Sequence, residues 1–122
     1  MRFGMTSLDW IDIETMGQLD SAVSRSFSIP VLIYKHSTRC GLRNIVRSRL
    51  EKSWENAPID VECYFVDLIA NRPISDAIEN LFMVPHQSPQ VLLLIDGNCV
   101  FHSSHMGVNY QAIKHAVNYP VS

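Results

Sequence analysis

Among the side chains of this chain, Cys40 has the setting best suited to chemistry. It follows the apolar run Pro30-Val31-Leu32-Ile33-Tyr34 and the polar turn His36-Ser37-Thr38, and it opens a segment with helical periodicity. A cysteine at a strand-to-helix junction meets the free N–H groups and positive dipole end of the helix, which favour an anion. A thiolate is such an anion, so the pKa is expected below the free value of about 8.5. Arg39 is adjacent, and Arg43 and Arg47 follow three and seven residues on, a spacing that returns to the same helix face. Three cations would lower the pKa further and give an anionic thiol a place to dock. The chemistry this predicts is thiol–disulfide exchange, in which a thiolate attacks a disulfide sulfur. Position 43 is arginine where a C-x-x-C motif would carry its second thiol. Cys40 therefore works as a single thiol, and the resolving sulfur must come from a small thiol or another protein. The arginines also have a plainer reading, as the solvated back of a helix with Arg49 and Lys52.

The remaining candidates are weaker. Cys63 and Cys99 fall inside predicted strands and are expected to be packed core residues. Ser88-Pro89 directly precedes a predicted central strand. A cis bond there would turn the Ser88 backbone toward the Cys40 end of the sheet and expose it to a docking substrate. His36 and Cys40 are four residues apart and His102 and His105 three apart, but no spacing matches a known zinc motif, so no metal is expected. His102 and His105 follow the last predicted strand and are expected at the polar surface, near the active face. The chain has no phosphate-binding glycine loop and no G-x-S-x-G elbow.

The elements that must hold these residues are legible from periodicity. Residues 7–13 read as a short edge strand. Thr15-Met16-Gly17-Gln18 has the spacing of a capping box, and Leu19, Ala22, Val23 and Phe27 then predict a helix over 15–27. Pro30 ends it, and residues 31–34 read as a strand buried on both faces. Leu42, Val46, Leu50 and Trp54, with Ile45 beside them, are the apolar stripe of a helix over about 40–55. Val61, Cys63 and Phe65 alternate with Glu62 and Tyr64 in a second central strand. Pro73 suits the first turn of a helix whose Ile74, Ala77, Ile78, Leu81 and Phe82 share a face. Asp96-Gly97 joins the strand at 91–95 to the one at 99–101 and is a strong hairpin signal. A last helix covers about 109–118, with Ile113, Ala116 and Val117 inward. The order is β-α-β-α-β-α-β-β-α. It implies an α/β fold with early parallel strands, a mixed central sheet and flanking helices, the order of a thioredoxin-like fold.

Composition narrows the partners. The 122 residues suit one domain, 1–122, and 47% of them are hydrophobic. Ten Lys+Arg stand against twelve Asp+Glu, a net charge of −2. That balance removes the general electrostatic reason to expect nucleic acid or a membrane surface as partner. The longest aliphatic run, residues 91–95, is far shorter than a membrane helix, and the first residues lack the apolar run of a signal peptide. Three cysteines are too few and too odd in number for a disulfide framework. A cytoplasmic location is the expectation.

With these residues in hand, the chain resembles the monothiol bacilliredoxin family, thioredoxin-like proteins associated with bacillithiol. The match runs from about Trp10 to Val108. It is carried by Pro30-Val31-Leu32-Ile33-Tyr34-Lys35-His36-Ser37-Thr38-Arg39-Cys40, by His86-Gln87-Ser88-Pro89-Gln90 and by Ser104-His105. The resemblance implies a thioredoxin fold, Cys40 as the active thiol and Pro89 as a cis-proline. It implies exchange on bacillithiol mixed disulfides of cytoplasmic proteins, with bacillithiol or another small thiol as co-substrate and no tightly bound cofactor. Thr38, Arg39, Arg43, Ser88 and Pro89 are the expected substrate-contacting residues, and the carboxylates of bacillithiol suit the arginines. The chain departs from the family where Cys-Pro, a small apolar residue and Ser are usual; here the run is Cys40-Gly41-Leu42-Arg43. Glycine loosens the first helical turn, and Arg43 puts a long cation in place of a short hydroxyl. Both changes bear on the pKa of the thiol and on its partner. The competing reading is a thioredoxin-fold adaptor or redox sensor without turnover. A peroxidase is weaker: Ser37 lies three residues before Cys40, but the proline of that pattern is replaced by Ile33.

Overall fold

In the computed structural model the described residues are 9–37 and 43–120, with the side chains of the second helix described from Ile45 onward. Thr38, Arg39, Cys40, Gly41 and Leu42 lie outside them, as does the side chain of Arg43. The elements are β1 (Trp10–Asp12), α1 (Met16–Arg25), β2 (Val31–His36), α2 (Arg43–Asn56), β3 (Glu62–Asp67), α3 (Arg72–Phe82), β4 (Gln90–Ile95), β5 (Asn98–Ser104) and α4 (Tyr110–Asn118), with a 3₁₀ turn at His105–Gly107 before α4. This is the expected order. The sheet runs β1-β3-β2-β4-β5. β1, β3 and β2 are parallel, whereas β4 runs antiparallel to β2 and β5 antiparallel to β4.

β2 is buried along its whole length because helices cover both faces of the sheet. Its alternation divides the core in two. Val31 and Ile33 face Leu19 and Ala22 of α1 and Ile74 and Ile78 of α3. Leu32 and Tyr34 face Leu50 and Trp54 of α2 and Tyr110, Ile113 and Ala116 of α4. Three layers result, with the C-terminal end of β2 leading into residues 38–42.

The capping box at α1 is present: Thr15 Oγ1 accepts from the Gln18 N–H and Gln18 Oε1 from the Thr15 N–H, both at 3.1 Å. The helix is shorter than its periodicity suggests, because Phe27 has left the helical register. Its ring is 64% exposed and lies over the hairpin tip rather than in the core. Leu81 and Ile45 also keep helical spacing yet are exposed, because each helix lies on the sheet along a narrower stripe than the sequence offers.

At the β4–β5 hairpin, Asp96 and Gly97 both have positive φ, 53° and 79°. That matches the turn which suits the right-handed twist of a two-stranded ribbon. The tip is tied to the end of α1, where the Asp96 N–H donates to the Ser26 carbonyl and the Gly97 N–H to Ser26 Oγ, each at 2.9 Å. A Cβ at Gly97 would meet Phe27 Cζ at 2.6 Å. Gly97→Ala is therefore expected to destabilise the protein by about 1–2 kcal/mol, through the positive φ and the ring contact together. Urea unfolding should show a lower midpoint with an unchanged slope; an unchanged midpoint would contradict this account of the hairpin.

Candidate active site

The antiparallel pairing of β2 with β4 ends at Lys35 opposite Gln90. It brings the loop before β4 beside the last residues of β2. The Ser88–Pro89 peptide bond in that loop is cis, as the family resemblance implied. Ser88 Oγ lies 3.1 Å from His36 Nδ1, and His36 is 2% exposed with its ring stacked on Tyr34. The strand that leads to Cys40 and the loop that carries Pro89 are thus joined by a side-chain contact across 52 residues of sequence. Of the expected site residues, Ser88 and Pro89 are brought to the end of β2. Cys40, Thr38 and Arg39 belong to the segment outside the described residues, and Arg43 opens α2.

The other two thiols are placed in the core. Cys63 is 2% exposed, and burial, reinforced by the Glu62 carboxylate, pushes its pKa well up. Cys99 is partly buried and its pKa is also raised by burial, partly offset by backbone hydrogen bonds. Both stay protonated near neutral pH and are poor nucleophiles.

Arg47 has partners within the fold, and its expected place on the face of Cys40 involves a residue outside the described ones. Its Nε donates to Glu51 Oε2 at 3.0 Å, and Glu51 also accepts from Trp10 Nε1 at 2.7 Å. The guanidinium lies 5.1 Å from the Trp10 ring centroid and 5.3 Å from that of Phe65. Its charge is paired and stacked, and it pins α2 to the β1–β3 edge of the sheet. His102 lies within β5, opposite Leu92, rather than after the strand. His105 does follow the strand, and it reaches the same loop: Nε2 donates to Gln87 Oε1 at 2.8 Å and the backbone N–H donates to the Pro89 carbonyl at 2.9 Å.

Lys35 was not singled out in the sequence, although the parity of Val31, Ile33 and Lys35 puts it on a buried face. It is 0% exposed, and among the described residues its Nζ has no hydrogen-bond partner. Below it, Ser75 Oγ is 3.4 Å from His86 Nδ1, the His86 N–H donates to Glu79 Oε2, and Gln90 Nε2 donates to the Pro85 carbonyl. These bonds floor the cis-proline loop with polar groups.

Burial pushes the pKa of Lys35 below 10.5, against the opposite pull of the Glu79 and Asp76 carboxylates. Between the two values the unfolded chain binds more protons here than the folded one, so this group's contribution to stability rises with pH. The penalty is full below the folded pKa and is relieved as pH approaches 10.5. Lys35→Met, similar in length and uncharged, is expected to be more stable than the parent near pH 7 by about 1 kcal/mol or more. The difference should shrink toward about pH 10. Urea midpoints measured at both pH values check it; a variant less stable at pH 7 would show that the ammonium is a net support.

The family model of monothiol bacilliredoxin BrxC matches residues 11–113. Among solved structures, a protein assigned as an oxidoreductase with a thioredoxin fold is similar at a TM-score of 0.76 and 22% identity, over 87% of this chain and 91% of that one. Thioredoxin from Trypanosoma brucei brucei is similar at a TM-score of 0.70 and 18% identity, over 97% and 96%. A variant thioredoxin from Halobacterium salinarum is similar at 0.67 and 18%, also over 97% and 96%. No helix among the described residues is long and apolar enough to cross a membrane. With a thioredoxin fold, a cis-proline loop at the end of β2 and a family match over most of its length, this chain belongs to the monothiol bacilliredoxin family, whose chemistry is thiol redox.

Proposed function

We propose that this protein is a monothiol thiol–disulfide oxidoreductase that acts on mixed disulfides between bacillithiol and cytoplasmic proteins, with Cys40 as nucleophile. The observation that carries this reading is the division of the thiols. Cys63 and Cys99 are held protonated by burial, and arginine occupies position 43. That leaves one cysteine for exchange, in the segment that joins the end of β2 to the start of α2, and the cis-proline loop lies beside that strand end.

In the first step the Cys40 thiolate attacks the bacillithiol sulfur of the modified protein. A bond forms between Cys40 Sγ and bacillithiol, and the protein thiolate leaves and takes a proton from water. In the second step the thiolate of another bacillithiol attacks the bound bacillithiol sulfur. Cys40 is released as a thiolate, and the product is the symmetric bacillithiol disulfide, so two electrons pass from the small thiols to the modified protein. Thr38, Arg39 and Arg43 would receive the bacillithiol carboxylates, and Ser88 and Pro89 the polypeptide of the substrate. No tightly bound cofactor is needed.

The test is mass spectrometry of the reduced protein after exposure to a bacillithiol mixed disulfide, with peptide mapping. One bacillithiol is expected on Cys40, removed by excess free bacillithiol and absent from Cys40→Ala. With free bacillithiol as reductant the parent should turn over many times and Cys40→Ala should fall to the uncatalysed rate. Equal labelling of Cys63 and Cys99, or no adduct, would overturn the exchange reading. Capture on Cys40 without turnover would favour a redox sensor.

A further inference from the structure

Three consecutive residues of the cis-proline loop are each held by a histidine. His105 Nε2 donates to Gln87 Oε1 at 2.8 Å, His36 Nδ1 lies 3.1 Å from Ser88 Oγ, and the His105 N–H donates to the Pro89 carbonyl at 2.9 Å. The two His105 bonds therefore straddle Ser88. Among the described residues, neither the N–H nor the carbonyl of Ser88 takes part in a backbone hydrogen bond. The Ser88 backbone is left open between two clamps, and a polypeptide can pair with it.

His105 adopts a strained conformation to make these contacts. Its φ is +53°, uncommon for a residue with a Cβ. Such a conformation persists only where surrounding contacts over-determine it. The imidazole–amide bond to Gln87 is exposed, so water competes for both groups and the bond adds little to global stability. Its consequence is local, in where the loop sits.

We propose that His105 is a positioning residue for the docking loop and that it selects polypeptide mixed disulfides over small-molecule ones. A polypeptide substrate must pair with the Ser88 backbone and feels any shift of the loop. A small disulfide needs only the thiol and its surroundings. The inference rests on the exchange function proposed above.

The test compares the parent with His105→Gly, which accepts a positive φ and removes the imidazole, and with Gln87→Ala and the double variant. One substrate is a single-cysteine protein carrying bacillithiol as a mixed disulfide. The other is the mixed disulfide of bacillithiol with β-mercaptoethanol, and free bacillithiol is the reductant in both. The ratio of kcat/KM for the protein to that for the small disulfide is expected to fall about five- to tenfold in each single variant, the size of one lost hydrogen bond. The fall should sit in KM, and the double variant should be no worse than either single one. An unchanged ratio, an equal loss on both substrates, or additive losses in the double variant would overturn the role of His105 while leaving the exchange function standing. A parent without turnover would remove both.

Discussion

The antiparallel pairing of β4 with β2 is the constraint on which the site end depends. The register runs from Val31 opposite Leu94 to Lys35 opposite Gln90, so the start of β4 lies beside the end of β2. A parallel β4 would carry Ser88 and Pro89 to the far end of the sheet. The pairing holds because both strands are buried on both faces: Leu92 and Leu94 pack with Val31 and Ile33, and Val91 and Leu93 with Leu32 and Tyr34. A one-residue slip would exchange the two faces of β4 and set both cores against their helices. Apolar packing in the middle of the sheet thus fixes the place of polar groups at its edge.

Those polar groups change character along β2. Val31 to Tyr34 are apolar in their packing, whereas Lys35 and His36 are buried and polar. A dry core holds a polar group without a partner only at a cost in stability; His36 meets Ser88 Oγ, whereas Lys35 Nζ has no hydrogen-bond partner among the described residues. Gln90 and Ser75 are buried in the same region, and their hydrogen bonds go to the loop rather than to the strands. The end of the core therefore gives up packing energy for a fixed loop, a pattern seen where a site must be preorganised.

The element order was legible because punctuation and periodicity agree: Pro30, Pro58, Pro73 and Asp96-Gly97 fall at or near the boundaries that the apolar spacing implies. Phe27 misled because it keeps helical spacing after the helix has ended, and only the folded hairpin shows why its ring is needed at Gly97. The spacing of Arg47 gave no sign of its partners in the fold, Glu51 one turn on and Trp10 on β1. The cis Ser88-Pro89 bond was implied by the family resemblance and not by its place before a strand, which an ordinary loop proline would fit as well. The contacts that anchor it were not readable, since they join residues 52 and 18 apart. Lys35 could have been found, because a lysine in phase with Val31 and Ile33 breaks the pattern of a strand buried on both faces.

The same physics that makes Cys63 and Cys99 inert defines what the third thiol requires. Removing a thiol from water raises its pKa, so a reactive cysteine must keep contact with solvent or gain positive potential. Arg47 is paired with Glu51 and lies over Trp10 and Phe65, so the exchange function proposed for Cys40 calls on Arg39 and Arg43 for positive potential. The family's usual proline at position 41 would stiffen the start of α2, and glycine does not. In that proposal Arg43 would meet an electrostatic demand that the short hydroxyl it replaces could not. Such a substitution would then tie nucleophile and docking site together, since a cation that lowers a thiol's pKa can also receive a carboxylate.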